Sequence, residues 1–165
     1  MSSTVGYDFS QLYRSSALSF SPGTTFIATA HQNRIIVRSS STLSVVRTWL
    51  CVFPSSPAAS GSSSRSTDSI DQLLWSSDSL YLLAFSSKAN LAWVFGLTED
   101  GNGEGGELAR IDGEGVERLV RVEWGTQARE VLAWSDYGVR RSTQSSGLID
   151  FTVSAPVNDL QPVDG

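Results

Sequence analysis

The residues that could do chemistry in this 165-residue chain are few and lie far apart in the sequence. His31 is the only histidine and Cys51 is the only cysteine, so the sequence offers neither an intrachain disulfide nor a cysteine–histidine metal site. His31 falls in a turn between two apolar runs, and one isolated imidazole supports no Ser-His-Asp arrangement. Cys51 follows an apolar run, and its nearest preceding cation is Arg47, so we expect a buried thiol in a reducing compartment.

One segment, Gly101 to Gly106, satisfies the G-x-G-x-x-G pattern of dinucleotide-binding loops. Such a loop places a pyrophosphate at a helix N-terminus, and nearby carboxylates would repel that ligand. Acidic residues crowd this loop, and no βαβ pattern follows it. We therefore predict no cofactor and interpret residues 98–115 as a solvated loop rich in glycine and acidic residues. The acidic residues beside the motif are Glu99, Asp100, Glu104 and Glu107.

A catalytic carboxylate pair requires a fixed separation and controlled desolvation. The acidic residues that follow the glycine motif have flexible, glycine-rich neighbours, so we expect neither condition to hold. The sequence predicts no enzyme, no metal site and no small-molecule substrate. These carboxylates are Asp112, Glu114, Glu117 and Glu123.

A serine-rich segment, residues 54–69, contains two prolines and no large apolar residue, which predicts a flexible surface loop. Its hydroxyls could be phosphorylated and so regulate binding of a partner, although such segments are also simple linkers. The candidate phosphorylation sites are Ser62, Ser64, Ser66 and Thr67.

The composition excludes several classes of partner. With 17 acidic and 12 basic residues the formal charge is −5, so no basic face for nucleic acid is expected. No run of 18 apolar residues is present, which argues against a membrane span. The first residues carry no basic and apolar signal, so we expect no signal peptide. Protein partners remain the expectation.

The apolar residues come in short aromatic and β-branched runs bounded by turn residues, which predicts strands and an all-β fold. A repeat is visible when Phe20, Trp75 and Trp124 are aligned, because a turn and then a second apolar run follow each of them. After the two loops are removed, the spacing approaches the ~40–45 residues of a four-stranded propeller blade. The repeat signature consists of Phe20, Pro22, Gly23, Trp75, Asp78, Trp93 and Trp124.

The residues Phe20-Ser21-Pro22-Gly23 and Trp75-Ser76-Ser77-Asp78 resemble the inner hairpin of a WD-repeat β-propeller. Trp93-Val94-Phe95 stands where the closing Trp-Asp of such a repeat is expected, without the Asp. The resemblance implies a WD-repeat region over residues 7–140. It would contain one blade at about 12–52, a second at about 70–98 and a partial third at about 108–140, followed by a polar, poorly ordered tail at 141–165.

A closer resemblance joins the opening of the chain to a small WD-repeat family of centrosomes and fungal spindle pole bodies. It rests on an ordered series: Phe9-Ser10, Phe20-Ser21-Pro22, Arg34 to Arg38, Thr42-Leu43 and Cys51. The series suggests an N-terminal, truncated member of the family. We expect the incomplete propeller of such a chain to be marginally stable, aggregation-prone or dependent on a partner.

The resemblance implies a cytoplasmic, cytoskeletal scaffold that is not an enzyme. Its partners would be a coiled-coil microtubule-anchoring protein and, in fungi, a minus-end-directed kinesin, and its role would be to organise the mitotic spindle. A generic WD-repeat adaptor, such as a substrate receptor in ubiquitin transfer or a signalling platform, is the alternative. An enzyme is the least favoured class.

Overall fold

The computed structural model describes residues 15–53, 69–113, 118–125, 130–135 and 152–154. The serine-rich segment with candidate sites Ser62, Ser64, Ser66 and Thr67 lies outside the described residues, so its phosphorylation stays a prediction. The expected disorder of the tail also stays a prediction, except that residues 152–154 form a strand.

Eleven strands in three sheets make up the described chain. The first sheet contains β1 (Ala17–Phe20), β2 (Phe26–His31), β3 (Arg34–Ser39) and β4 (Val45–Leu50). The second contains β5 (Gln72–Trp75), β6 (Tyr81–Ser86), β7 (Leu91–Gly96) and β8 (Ala109–Asp112). The third contains β9 (Leu119–Trp124), β10 (Glu130–Ser135) and β11 (Thr152–Ser154).

The first two sheets are antiparallel meanders in which each strand pairs with the next along the chain. In the third sheet β10 pairs with β9 antiparallel and with β11 parallel. The helical residues among those described are the short 3-10 turn Pro22–Thr24, and no described helix has the length and hydrophobicity to cross a bilayer. The predicted all-β fold of propeller blades, two complete and a third partial, is confirmed.

The second sheet is sandwiched between the other two, which explains its composition. Every residue of β6 and β7 is buried, because successive side chains point to opposite faces and both faces are covered. In β6, Leu82 and Ala84 face a core shared with the first sheet, whereas Leu83 and Phe85 face a core shared with the third. The first strands of the sheets, β1, β5 and β9, are neighbours in that order, as expected of blades around one axis.

Two sequence-based boundaries are wrong. We expect the third blade to begin at about residue 108, but the strand Ala109–Asp112 pairs with β7 and completes the second sheet. The segment 98–115 is not simply a solvated loop, since it contains this strand and the buried Glu107. The charged residues and glycines around it predict a loop, but this segment forms a short strand whose alternate residues, Ala109 and Ile111, lie in the second core.

Candidate interaction surfaces

The aromatic repeat positions of the second and third sheets lie between blades and make the same hydrogen bond. The indole Nε1 of Trp75 donates to the carbonyl oxygen of Ser19 at 3.2 Å. The indole Nε1 of Trp124 donates to the carbonyl oxygen of Leu74 at 3.0 Å. Each acceptor directly precedes the aromatic position of the earlier sheet, so the two junctions are copies of one arrangement.

The turn after each aromatic position is also repeated. Ser21 and Ser76 are buried, and each side-chain oxygen accepts from the backbone N–H that opens the next strand, that of Phe26 at 3.0 Å and that of Tyr81 at 2.9 Å. The predicted repeat signature includes the exposed Pro22 and Gly23 but not these serines, although both serines stand in the aligned motifs. Their recurrence directly after the aromatic residue was the available signal.

Asp78 belongs to the second of these turns. Its Oδ1 accepts from the backbone N–H of Leu80 at 3.0 Å and from the hydroxyl of Ser76. Thr24 and Ser79 occupy equivalent places in the two turns, and both have positive φ angles, 57° and 62°. The turns of neighbouring blades touch, because the Ser79 hydroxyl donates to the carbonyl oxygen of Pro22 at 3.1 Å.

The outer face of the first sheet carries exposed apolar side chains near the propeller axis. Leu18 is 55% exposed and Phe20 is 53% exposed. The strand register places Ile27 opposite Phe20 and Ile36 opposite Thr29, on the same side and away from the first core. We name Leu18, Phe20, Ile27 and Ile36 the first-sheet face.

The outer face of the third sheet lies at the other end of the stack. Register pairs Glu123 with Leu132 and Arg121 with Trp134, so these four residues, named the third-sheet face, point away from the second core. The Arg121 guanidinium forms an ion pair with Glu123 and lies 5.4 Å from the centre of the Trp134 ring. This face therefore carries an ion pair beside its apolar side chains.

A second exposed apolar group lies at the start of the outermost strand of the first sheet and in the turn before it. Leu43, Val45 and Val46 are 46%, 58% and 42% exposed, and we name them the peripheral patch. A register shift beside Arg38 leaves Val46 unpaired between Val45 and Arg47. Such bulges re-aim side chains at sheet edges, and a contiguous apolar patch in solvent is typical of a protein-binding surface.

The glycine motif is a packed element of the fold. A Cβ at Gly101 would collide with the backbone of Glu107, and one at Gly105 would collide with the carbonyl oxygen of Leu50 in β4. The loop is held to that strand by Arg47, which donates to the carbonyl oxygen of Leu97 at 2.8 Å and to Asp100 at 3.0 Å. Close packing within the loop thus accounts for Gly101, and close packing between blades accounts for Gly105.

The remaining candidate residues do not converge on a site. His31 is exposed at the end of β2, and Cys51 is buried. Burial, and then the charge of Glu107, raises the pKa of the Cys51 thiol above its usual range. Asp112 and Glu123 lie in different sheets, while Glu114 and Glu117 fall outside the described residues. Among the residues that the structure describes, no group of three or more His, Cys, Asp or Glu could hold a metal ion.

Trp93 is wholly buried in β7, and the edge of its ring meets Phe53 with 5.1 Å between ring centres. Its Nε1 finds no hydrogen-bond partner within the described part of the chain. It therefore packs in the first core without the donor role of Trp75.

Comparison with known proteins gives one curated relative. The mouse WD repeat-containing protein WRAP73 is 26% identical over 135 residues, which are 81% of this chain and 25% of that protein. The chain thus spans about a quarter of the length of this relative. No protein-family model matches the chain.

Three solved structures are similar to parts of the chain. The β-propeller domain of Cps50 (Swd1) from Myceliophteria thermophila has a TM-score of 0.46 at 15% identity and covers 69% of this chain and 30% of its own. The WD40 repeats of RRP9 have a TM-score of 0.49 at 13% identity and cover 72% and 32%. Kluyveromyces lactis Hsv2 has a TM-score of 0.46 at 16% identity and covers 65% and 35%.

Proposed function

We propose that this chain is a non-enzymatic interaction scaffold of the WD-repeat type that helps anchor microtubules at the spindle pole or centrosome. The observation that carries the scaffold role is the peripheral patch, in which Leu43, Val45 and Val46 offer apolar surface at the outer edge of the first sheet. The similarity to a WD repeat-containing protein over most of the chain supports the same class.

The proposed partner is a coiled-coil microtubule-anchoring protein, with a minus-end-directed kinesin as a further component in fungi. A helix of a coiled coil can present apolar side chains outside its own seam, and burying them against the peripheral patch would stabilise the contact by about 25 cal/mol per Å² of apolar surface removed from water, before the costs of association. The location at the pole is supported by the ordered series from Phe9 to Cys51 that resembles the centrosomal family.

The proposal is tested by expressing the tagged full chain in dividing cells. We expect a signal focused at the spindle poles. We expect a variant carrying both Val45→Ser and Val46→Ser to lose that focus and to lose capture of the coiled-coil partner. Leu80→Ser is the matched control, because Leu80 is 41% exposed but lies in a turn of the second sheet. A diffuse or nuclear signal from the unmodified chain would contradict anchoring and favour the adaptor alternative.

A further inference from the structure

The first-sheet face and the third-sheet face are the two ends of one repeating stack. At both inner junctions the later sheet turns its aromatic position toward the earlier sheet, as Trp75 and Trp124 show. The first-sheet face carries the aromatic position Phe20, so it corresponds to the face by which the second and third sheets pack on the sheet before them. The third-sheet face corresponds to the opposite face, on which the next sheet of the stack packs.

We propose that two copies of the chain associate head to tail, with the first-sheet face of each copy packed on the third-sheet face of the other. A contact between two different faces closes into a ring only when the rotation per copy divides a full turn. Propellers close with about four to eight blades. The described residues of each copy form three sheets, so the described sheets of two copies fall within that range and those of three copies exceed it.

Apolar burial supplies the driving force for this contact. More than half of the side-chain surface of Leu18 and of Phe20 is open to solvent, beside the half-buried Ile27 and Ile36. Within the described residues no strand lies on this side of the first sheet. The equivalent face of the second sheet carries Trp75, which is only 8% exposed because the first sheet covers it.

Repulsion between like charges disfavours a contact between two first-sheet faces. Residues 15–53 contain no Asp or Glu but include Arg34 and Arg38, which the strand register places on the same side as Ile36. All but Asp8 of the 17 acidic residues follow residue 53, and Glu123 lies on the third-sheet face. Two first-sheet faces would bring arginines together, whereas in the head-to-tail contact the arginines meet a face on which the charges of Arg121 and Glu123 are already paired.

The repeat also predicts which hydrogen bond the contact lacks. The carbonyl of Glu123 directly precedes Trp124, as those of Ser19 and Leu74 directly precede Phe20 and Trp75. In the head-to-tail contact Phe20 of one copy takes the place of an indole opposite this carbonyl, and a phenyl ring has no N–H to donate. A Phe20→Trp variant would restore the donor and tighten the association.

Sedimentation velocity of the full chain across a wide concentration range tests the proposal. We expect a species of twice the 17.8 kDa chain mass. We expect a variant carrying both Leu18→Ser and Phe20→Ser to raise the dissociation constant of the dimer at least tenfold. Leu80→Ser should leave the dissociation constant unchanged. Phe20→Trp should lower it several-fold. A gain on Phe20→Trp cannot arise from loss of folding, and far-UV circular dichroism checks the other variants.

A mixing experiment distinguishes unlike from like faces. A chain altered on the first-sheet face and a chain carrying Leu132→Ser on the third-sheet face should each dimerise poorly alone, but their mixture should form dimers because one intact contact remains. The proposal would be overturned by a chain that is monomeric at all concentrations or by a series of species larger than a dimer. It would also be overturned if the Leu18 and Phe20 changes left the dimer unaffected, or if Phe20→Trp associated no more tightly than the unmodified chain. Absence of dimers on mixing the two variants would overturn it as well. Its outcome is separate from the proposed function, which depends on the peripheral patch.

Discussion

The indole Nε1 of Trp124 lies 3.0 Å from the carbonyl oxygen of Leu74, so a side chain at the end of β9 is bonded to the backbone of the sheet before it. Trp75 is bonded to Ser19 in the same way. A backbone carbonyl that receives a side-chain donor from the next blade fixes the height of one sheet relative to the other. Apolar packing alone would allow neighbouring sheets to slide.

Trp75→Phe and Trp124→Phe should lower the free energy of unfolding by more than Trp93→Phe does. All three changes trim the same ring, but only the first two remove an indole donor that has an acceptor, since the Nε1 of Trp93 has no partner among the described residues. The difference should be about 0.5–1.5 kcal/mol, measured by urea unfolding. Equal losses for all three variants would contradict the hydrogen-bonding role.

The aromatic repeat could be predicted from sequence because one residue type recurs at one place in each unit. The hydrogen bonds of Trp75 and Trp124 could not, because their acceptors are backbone carbonyls, which carry no sequence signal. Phe20 shows the limit in the other direction. It matches the pattern, yet it is 53% exposed because no described sheet lies on its side.

Ser76→Ala should destabilise the chain by about 1–2 kcal/mol. Its hydroxyl accepts from the buried Tyr81 N–H and donates toward Asp78, so the change leaves a buried donor without that partner. Ser77→Ala, at an exposed neighbouring position, should change stability by less than about 0.5 kcal/mol. Thermal denaturation of both variants makes the comparison, and similar melting temperatures would show that the turn tolerates loss of the hydroxyl.

Gly105→Ala should destabilise the chain by about 1–3 kcal/mol, because the added methyl group meets the carbonyl oxygen of Leu50 and forces the loop from β4. Asn102→Ala, at an exposed position of the same loop, is the matched control and should be nearly neutral. The free energy of unfolding in urea measures both. A neutral Gly105→Ala would mean that the loop does not pack against the first sheet.

Stability should fall as pH rises above about 9 because of Cys51. The pKa of its thiol is raised in the folded chain, mainly by burial. The unfolded thiol therefore loses its proton first, and the unfolded state binds fewer protons than the folded state. The stability that Cys51 contributes through this pKa difference is fully present below the ordinary thiol pKa. Above that pKa the free energy of unfolding falls by up to about 1.4 kcal/mol per pH unit.

Cys51→Ala should flatten this alkaline slope, measured by urea unfolding at a series of pH values. The slopes are compared rather than the absolute stabilities, since the smaller side chain also leaves a cavity. The thiol of the unmodified chain should also react with an alkylating reagent only on unfolding. Rapid alkylation of the folded chain, or an unchanged slope in the variant, would contradict burial of the thiol.

Prediction from sequence was weakest where charge and glycine content concealed packing. Residues 98–115 read as solvated because acidic residues are dense there, but Glu107 is only 5% exposed and its carboxylate accepts from the Gly105 N–H at 2.8 Å. Of the glycines in the phosphate-loop pattern, Gly105 allows the chain to pass close to β4, and Gly101 and Gly103 leave room for Glu107 of the same loop. A local pattern cannot distinguish these cases, because the difference lies in a strand more than fifty residues earlier in the chain.

The three sheets are successive copies of one unit, joined by indole-to-carbonyl hydrogen bonds. Nuclear Overhauser effects from the indole protons test this arrangement, with the Trp→Phe variants assigning the five indole signals. We expect contacts from the Trp75 indole proton to the backbone of Ser19 and Phe20, and from the Trp124 indole proton to the backbone of Leu74 and Trp75. Indole protons that contact only their own sheet, or that exchange as rapidly as exposed ones, would contradict it.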